Sequence, residues 1–161
     1  MKMRIAVLCA LLFSLGMPTR SLAGTEPVRI SGRGAFLAMS VPDLDASARW
    51  YSEKLGLKVV MRLPETDGTT VTVLEGDGLI VELIQRDGAF SLSSAAPGKD
   101  RTLVHGLFKA GVIVEDFDKT VAMLRAREVE IAFGPFPKKP DQRANVCIRD
   151  NAGNLIQFFG P

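Results

Sequence analysis

Val41-Pro42-Asp43-Leu44-Asp45-Ala46-Ser47-Ala48-Arg49-Trp50-Tyr51 decides the fold, because its pattern occurs twice in the chain. The run Ala35 to Val41 before it reads as a buried strand, and Pro42 ends that strand. Asp43 is placed to cap a helix. Leu44, Ser47, Ala48, Tyr51 and Leu55 then return to one face at helical spacing, and Gly56 stops the helix where glycine is favoured. At an offset of 73, Val114-Glu115-Asp116-Phe117-Asp118 repeats Val41-Pro42-Asp43-Leu44-Asp45, and Met123 and Leu124 fall under Trp50 and Tyr51. Further on, Gly153-Asn154-Leu155-Ile156-Gln157-Phe158 repeats Gly78-Leu79-Ile80-Val81-Glu82-Leu83.

Outward from the first helix, the spacing predicts strands over Leu57 to Leu63, Thr69 to Leu74 and Leu79 to Gln85. A turn is expected at Pro64 to Gly68 and a hairpin at Gly76-Asp77-Gly78. The second half reads as a strand from Phe108 to Val114, a helix to about Arg127, and a strand from Glu130 to Phe133. A proline-rich loop (134–140), a strand from Ala144 to Arg149, a turn at Asp150 to Asn154 and a strand from Leu155 to Phe159 complete it. Residues 87–103 form a polar connector of a length that is usually functional or mobile. The expectation is an α+β fold of two βαβββ modules, residues 34–86 and 104–160. They are related by pseudo-twofold symmetry, with curved mixed sheets enclosing a cavity lined by alternate strand residues.

The first 23 residues stand apart. Lys2 and Arg4 precede a mostly apolar run from Ile5 to Met17, and Ser21-Leu22-Ala23 ends with small residues at the −3 and −1 positions. This is the pattern of a signal peptide cut after Ala23, too short to span a bilayer. Residues 24–33 read as a flexible lead-in, and the address expected is periplasmic or secreted. The leader holds three of the 20 basic residues and none of the 18 acidic ones, so the remainder has a formal charge of −1. Neither nucleic acid nor a membrane surface is called for. With Cys9 in the leader, Cys147 is left alone, which excludes an internal disulfide and a CxxC site. Its place between Val146 and Ile148 suits a buried, inert thiol.

The run from Val41 to Ser47, then Trp50-Tyr51, then Leu55-Gly56-Leu57, resembles the first module of the vicinal oxygen chelate superfamily. That is the group of glyoxalase I, bleomycin-resistance proteins and extradiol dioxygenases. The tail Arg149-Asp150-Asn151-Ala152-Gly153-Asn154-Leu155-Ile156-Gln157 resembles that family's closing turn and strand. The resemblance implies a divalent metal held by four side chains, one from the first and one from the last strand of each module, acting as a Lewis acid on two neighbouring substrate oxygens. Carried over by position, those four are Phe36, Glu82, Lys109 and Gln157. Phe36 cannot bind a metal, Lys109 would repel one, and only Glu82 and Gln157 offer oxygen. The resemblance therefore implies the fold, while these residues disfavour a metal cofactor.

Glu82 and Lys109 are expected to form an ion pair across the cavity, or Lys109 to hold an anionic or carbonyl ligand. His105, the only histidine, lies four residues before Lys109 and is a further candidate acid or base. Catalytic candidates are thus Glu82, Lys109 and His105; ligand-binding candidates are Phe36, Glu82, Lys109 and Gln157. The leading expectation is an exported, glyoxalase-like protein that binds a small organic molecule without metal. The alternative is a metal-dependent lyase, isomerase or dioxygenase using Glu82, Gln157 and His105, and a third is an interaction module with a filled cavity. A homodimer is expected by analogy with single-domain members.

Overall fold

The computed structural model describes residues 34–98 and 106–161. The leader, the lead-in, the end of the connector and His105 lie outside the described residues.

Module one runs β1 (Ala35–Ser40), α1 (Leu44–Trp50), one π-helical turn (Tyr51–Leu55), β2 (Lys58–Thr66), β3 (Thr69–Gly76) and β4 (Leu79–Arg86). A short α2 (Leu92–Ala95) sits in the connector, where the sequence reading has only loop; the Ser91 hydroxyl caps it by accepting from Ser94 N. Module two runs β5 (Ala110–Ile113), α3 (Phe117–Ala126), β6 (Glu130–Phe136), β7 (Asn145–Arg149) and β8 (Leu155–Phe159). The sheets have one topology: β1-β4-β3-β2 and β5-β8-β7-β6. The first strand of each is parallel to the last, and the other pairs are antiparallel.

Local chemistry fixes both helix starts. Asp43 accepts from Ala46 N at 2.8 Å, and Asp116 accepts from Lys119 N at 2.9 Å. Leu44 N, another free donor of the first turn, donates to Gln85 Oε1 at 2.7 Å and ties α1 to β4. The expected capping glycine, Gly56, has φ 78°.

Strand alternation decides what is buried. Leu79, Val81 and Leu83 of β4 face the helix layer and are buried, while Ile80, Glu82 and Ile84 between them are half-buried on the other face. Ile156 and Phe158 of β8 and Val146 and Ile148 of β7 do the same in module two. The two modules share one hydrophobic cluster, joining Leu44, Tyr51 and Leu83 to Leu124, Ile148 and Phe158.

The pseudo-twofold axis can be read from hydrogen bonds. Lys54 Nζ donates to the Arg127 carbonyl, and Arg127 Nη1 donates to the Lys54 carbonyl at 3.1 Å. These residues are 73 apart, the offset of the sequence repeat. Equivalent residues that bond each other reciprocally are the mark of a twofold relation. A second fastener has no symmetric counterpart. Tyr51, with no exposed surface, donates from its hydroxyl to Asp150 Oδ2 at 2.8 Å, and Asn151 Nδ2 donates to Ser47 Oγ at 3.2 Å. Asp150 Oδ1 also accepts from Ala152 N and Asn154 N, and its Oδ2 from Asn154 Nδ2, so the buried carboxylate is fully answered by donors.

Three expected boundaries move. β2 runs through Pro64 to Thr66, and β6 runs through Pro135 to Phe136. Both are edge strands, where a missing N–H costs no ladder bond if it faces outward. β5 begins at Ala110 rather than Phe108, because its ladder with β8 starts at the pair Ala110–Ile156. Among the described residues no helix is long and apolar enough to cross a membrane.

Candidate functional site

The face of each sheet turned away from the helices carries an equivalent rung of four residues. In module one the ladders align Ala38, Glu82, Val73 and Met61 across β1, β4, β3 and β2. In module two they align Gly111, Gln157, Cys147 and Phe133 across β5, β8, β7 and β6. Each sheet has a register irregularity at the same place, between Val59 and Met61 and between Ile131 and Phe133. The fold therefore sets Glu82 and Gln157 in matching positions at the centre of matching faces.

Phe36 shares the module-one face with Glu82, two residues before Ala38, and is 60% exposed. Glu82 is half-buried in an otherwise apolar rung. Lys109 stands just before β5, two residues ahead of Gly111, exposed, with its ammonium 5.9 Å from the centre of the Phe108 ring. Gln157 is 7% exposed. The four candidates thus fall two in each module, with Lys109 just ahead of the second sheet. The expected Glu82–Lys109 ion pair does not form within the chain: among the described residues the ion pairs are Arg62–Asp45 and Arg149–Glu130, both exposed. The two charges belong to different sheets, and Lys109 turns to its neighbouring aromatic ring instead. Three hollows of the surface, of about 440, 520 and 470 Å³, open beside the start of α1, beside the start of α3, and between β4, α2 and the β7–β8 turn; none includes any of the four candidates.

Module two has the more polar face. Gln157 Nε2 donates to Asn145 Oδ1 at 2.8 Å, and Asn145 Nδ2 donates to the Arg143 carbonyl at 3.1 Å. Gln157 Oε1 is buried and has no hydrogen-bond partner among the described residues. Cys147, directly across from Gln157, is 2% exposed, and burial pushes its thiol up while the charges of Lys109 and Arg149 pull it down. The thiol is therefore held protonated, as the sequence reading expects of it. Phe159 lies over Gly111, where an added Cβ would come within 3.3 Å of the ring.

As cation ligands these residues fall short. Phe36 has no donor atom, Lys109 brings like charge, and Glu82 and Gln157 are two oxygen donors where three or four side chains are usual. Among the described residues no group of three or more His, Cys, Asp or Glu is arranged to hold a metal. Sequence reasoning missed Asn145 and the buried role of Asp150. The alternation of β7 places Asn145 on the face of Cys147 and could have found it; nothing local marks Asp150 as more than a turn residue.

The profile of the Glyoxalase/Bleomycin resistance protein/Dioxygenase superfamily matches residues 35–158. Comparison with curated proteins gives no match. Among solved structures, a glyoxylase/bleomycin resistance protein/dioxygenase domain from Frankia sp. EAN1pec is similar with a TM-score of 0.64 and 24% identity, over 82% of this chain and 93% of that one. TioX from Micromonospora sp. ML1 gives 0.56 and 23%, over 80% and 98%. A V278E mutant of glyoxalase I from Zea mays gives 0.60 and 19%, over 80% of this chain but 44% of the maize chain. At these identities the likeness is one of fold.

Proposed function

The chain belongs to the Glyoxalase/Bleomycin resistance protein/Dioxygenase superfamily, and we propose that it is an exported member that binds a small organic molecule without a divalent metal. The observation that carries this reading is the donor set at the four positions carried over from the family, Phe36, Glu82, Lys109 and Gln157. Glu82 and Gln157 alone would leave a cation short of ligands, and the Lys109 ammonium would oppose it. The same residues suit an organic ligand with an acidic or carbonyl group. Lys109 supplies a mobile point charge, Gln157 an amide, and the exposed Phe36, Met61 and Phe133 supply apolar contact.

Because the candidates fall on two separate faces, we place the complete site between two copies, the Glu82 face of one opposite the Lys109 face of the other. Support comes from exposed apolar side chains on these faces, Phe36 at 60%, Ile113 at 66% and Phe133 at 49%, and from the opposite charges they would bring together. Export rests on Lys2, Arg4, the apolar run and Ser21-Leu22-Ala23.

The test uses protein purified from an exporting host without chelators. Metal well below one equivalent, a dimer in analytical ultracentrifugation, and saturable binding of aromatic carboxylates weakened by Lys109→Ala are the expected results. Stoichiometric metal lost on Glu82→Ala would overturn the reading in favour of a metal-dependent lyase, isomerase or dioxygenase.

A further inference from the structure

The first residues of the connector border a hollow instead of entering the core. Asp87 to Leu92 line it together with the ends of β1 and β4 and the β7–β8 turn. Its volume, about 470 Å³, suits a small molecule. Phe90 is 76% exposed and Leu92 43% exposed, and with Val41 and Ala152 they give the hollow an apolar wall.

Two side-chain amides line the same hollow, Gln85 from β4 of module one and Asn154 from the β7–β8 turn of module two. Pro42 and Gln85 also border the hollow beside the start of α1, so the two hollows meet at the Gln85 amide. The fold pins each amide at one end, and that decides what the other end offers. Leu44 N can only donate, so Gln85 turns Oε1 toward it and is left with its NH2. The Asp150 carboxylate accepts, so Asn154 turns its NH2 toward it and is left with Oδ1. Flipping either amide would set N–H against N–H or oxygen against oxygen. Neither free end has a hydrogen-bond partner among the described residues. Neither is sealed off, because Gln157 Oε1 is the only fully buried side-chain polar atom without a partner among those residues.

The hollow thus presents a fixed donor and a fixed acceptor, on walls that come from different modules. A carboxylate would set its charge against the Asn154 oxygen, and an ammonium would leave the Gln85 NH2 unanswered. A secondary amide answers both, with its C=O and N–H on opposite edges of one planar group. We propose that this hollow is a second ligand site, separate from the sheet faces, that takes a small aryl amide. The ligand carbonyl accepts from Gln85 Nε2, its N–H donates to Asn154 Oδ1, and its ring packs on Phe90.

The experiment compares N-methyl-3-phenylpropanamide with methyl 3-phenylpropanoate by titration calorimetry on the purified, processed protein. The two probes match in shape and differ where an ester oxygen replaces the N–H. Wild type is expected to bind the amide at least about tenfold more tightly, since the ester sets oxygen against Asn154 Oδ1. Gln85→Glu keeps an acceptor for Leu44 N, at a helix start that favours a carboxylate, and replaces the free donor by oxygen. It should lower amide affinity at least about tenfold. Phe90→Ala, a change at an exposed side chain, should weaken amide and ester together and keep their ratio. Equal binding of the two probes by wild type overturns the inference, and so does failure of either to bind. Amide affinity unchanged by Gln85→Glu or by Phe90→Ala places the ligand elsewhere and overturns it as well. If Gln85→Glu fails to fold, the amide–ester ratio and Phe90→Ala still decide. The sheet-face reading stands or falls separately, on metal content and on Lys109→Ala.

Discussion

Tyr51→Phe removes one hydroxyl from the centre of the molecule and nothing else. That hydroxyl donates to Asp150 Oδ2 at 2.8 Å, from a residue with no exposed surface, across 99 positions of sequence. It also lies 2.9 Å from Met39 Sδ, a much weaker acceptor, so the carboxylate takes the proton. A buried hydrogen bond to a charged acceptor contributes about 1.5–3 kcal/mol. Asp150 keeps its bonds from Ala152 N, Asn154 N and Asn154 Nδ2, so the carboxylate is not orphaned. The expected loss is therefore about 2 kcal/mol, in the lower half of that range. For a domain of this size that lowers Tm by about 6–10 °C. Urea unfolding followed by circular dichroism should show the midpoint falling with the slope unchanged and one transition retained, because both modules share a core. A loss under about 0.5 kcal/mol, the level of an exposed substitution, would refute the idea that this bond fastens the modules.

The same tyrosine shapes the alkaline limb of stability. Burial first, then the Asp150 charge and hydrogen bond, push its hydroxyl well above the ordinary value. The folded state keeps the proton while the unfolded chain loses it, so stability is full below about pH 10 and falls as pH rises beyond it; Tyr51→Phe should flatten that fall in pH-dependent melting curves. Asp43→Ala and Asp116→Ala, equivalent caps of α1 and α3, should each cost about 1 kcal/mol in urea titrations, and a large inequality would show that the two helix starts do not carry equal weight. Mass spectrometry of protein from an exporting host should find the amino terminus at Gly24.

Much of the architecture was legible because the repeat is written in residues with local meaning. The paired caps Asp43 and Asp116 and the shared offset of 73 locate both helices, and the structure then shows the axis between them in the Lys54–Arg127 bonds. Strand ends were less legible. Pro64 and Pro135 read as breakers, and whether a proline breaks a strand depends on which side of it has a neighbour, a property of the assembled sheet. The candidate site divides in the same way. Glu82 and Gln157 were singled out by the family resemblance, which carries a ligand position onto the last strand of each module, and the structure sets them at matching rungs. The Gln157–Asn145 bond and the Asp150 fastener depend on pairings across 12 and 99 residues, which local pattern does not encode.

Elemental analysis of the purified, processed protein, offered nickel, zinc, manganese and iron without chelator, bears most directly on the proposed function. The donor set of Phe36, Glu82, Lys109 and Gln157 predicts metal at background, far below about one ion per chain. About one ion per chain, lost on Glu82→Ala, would contradict it.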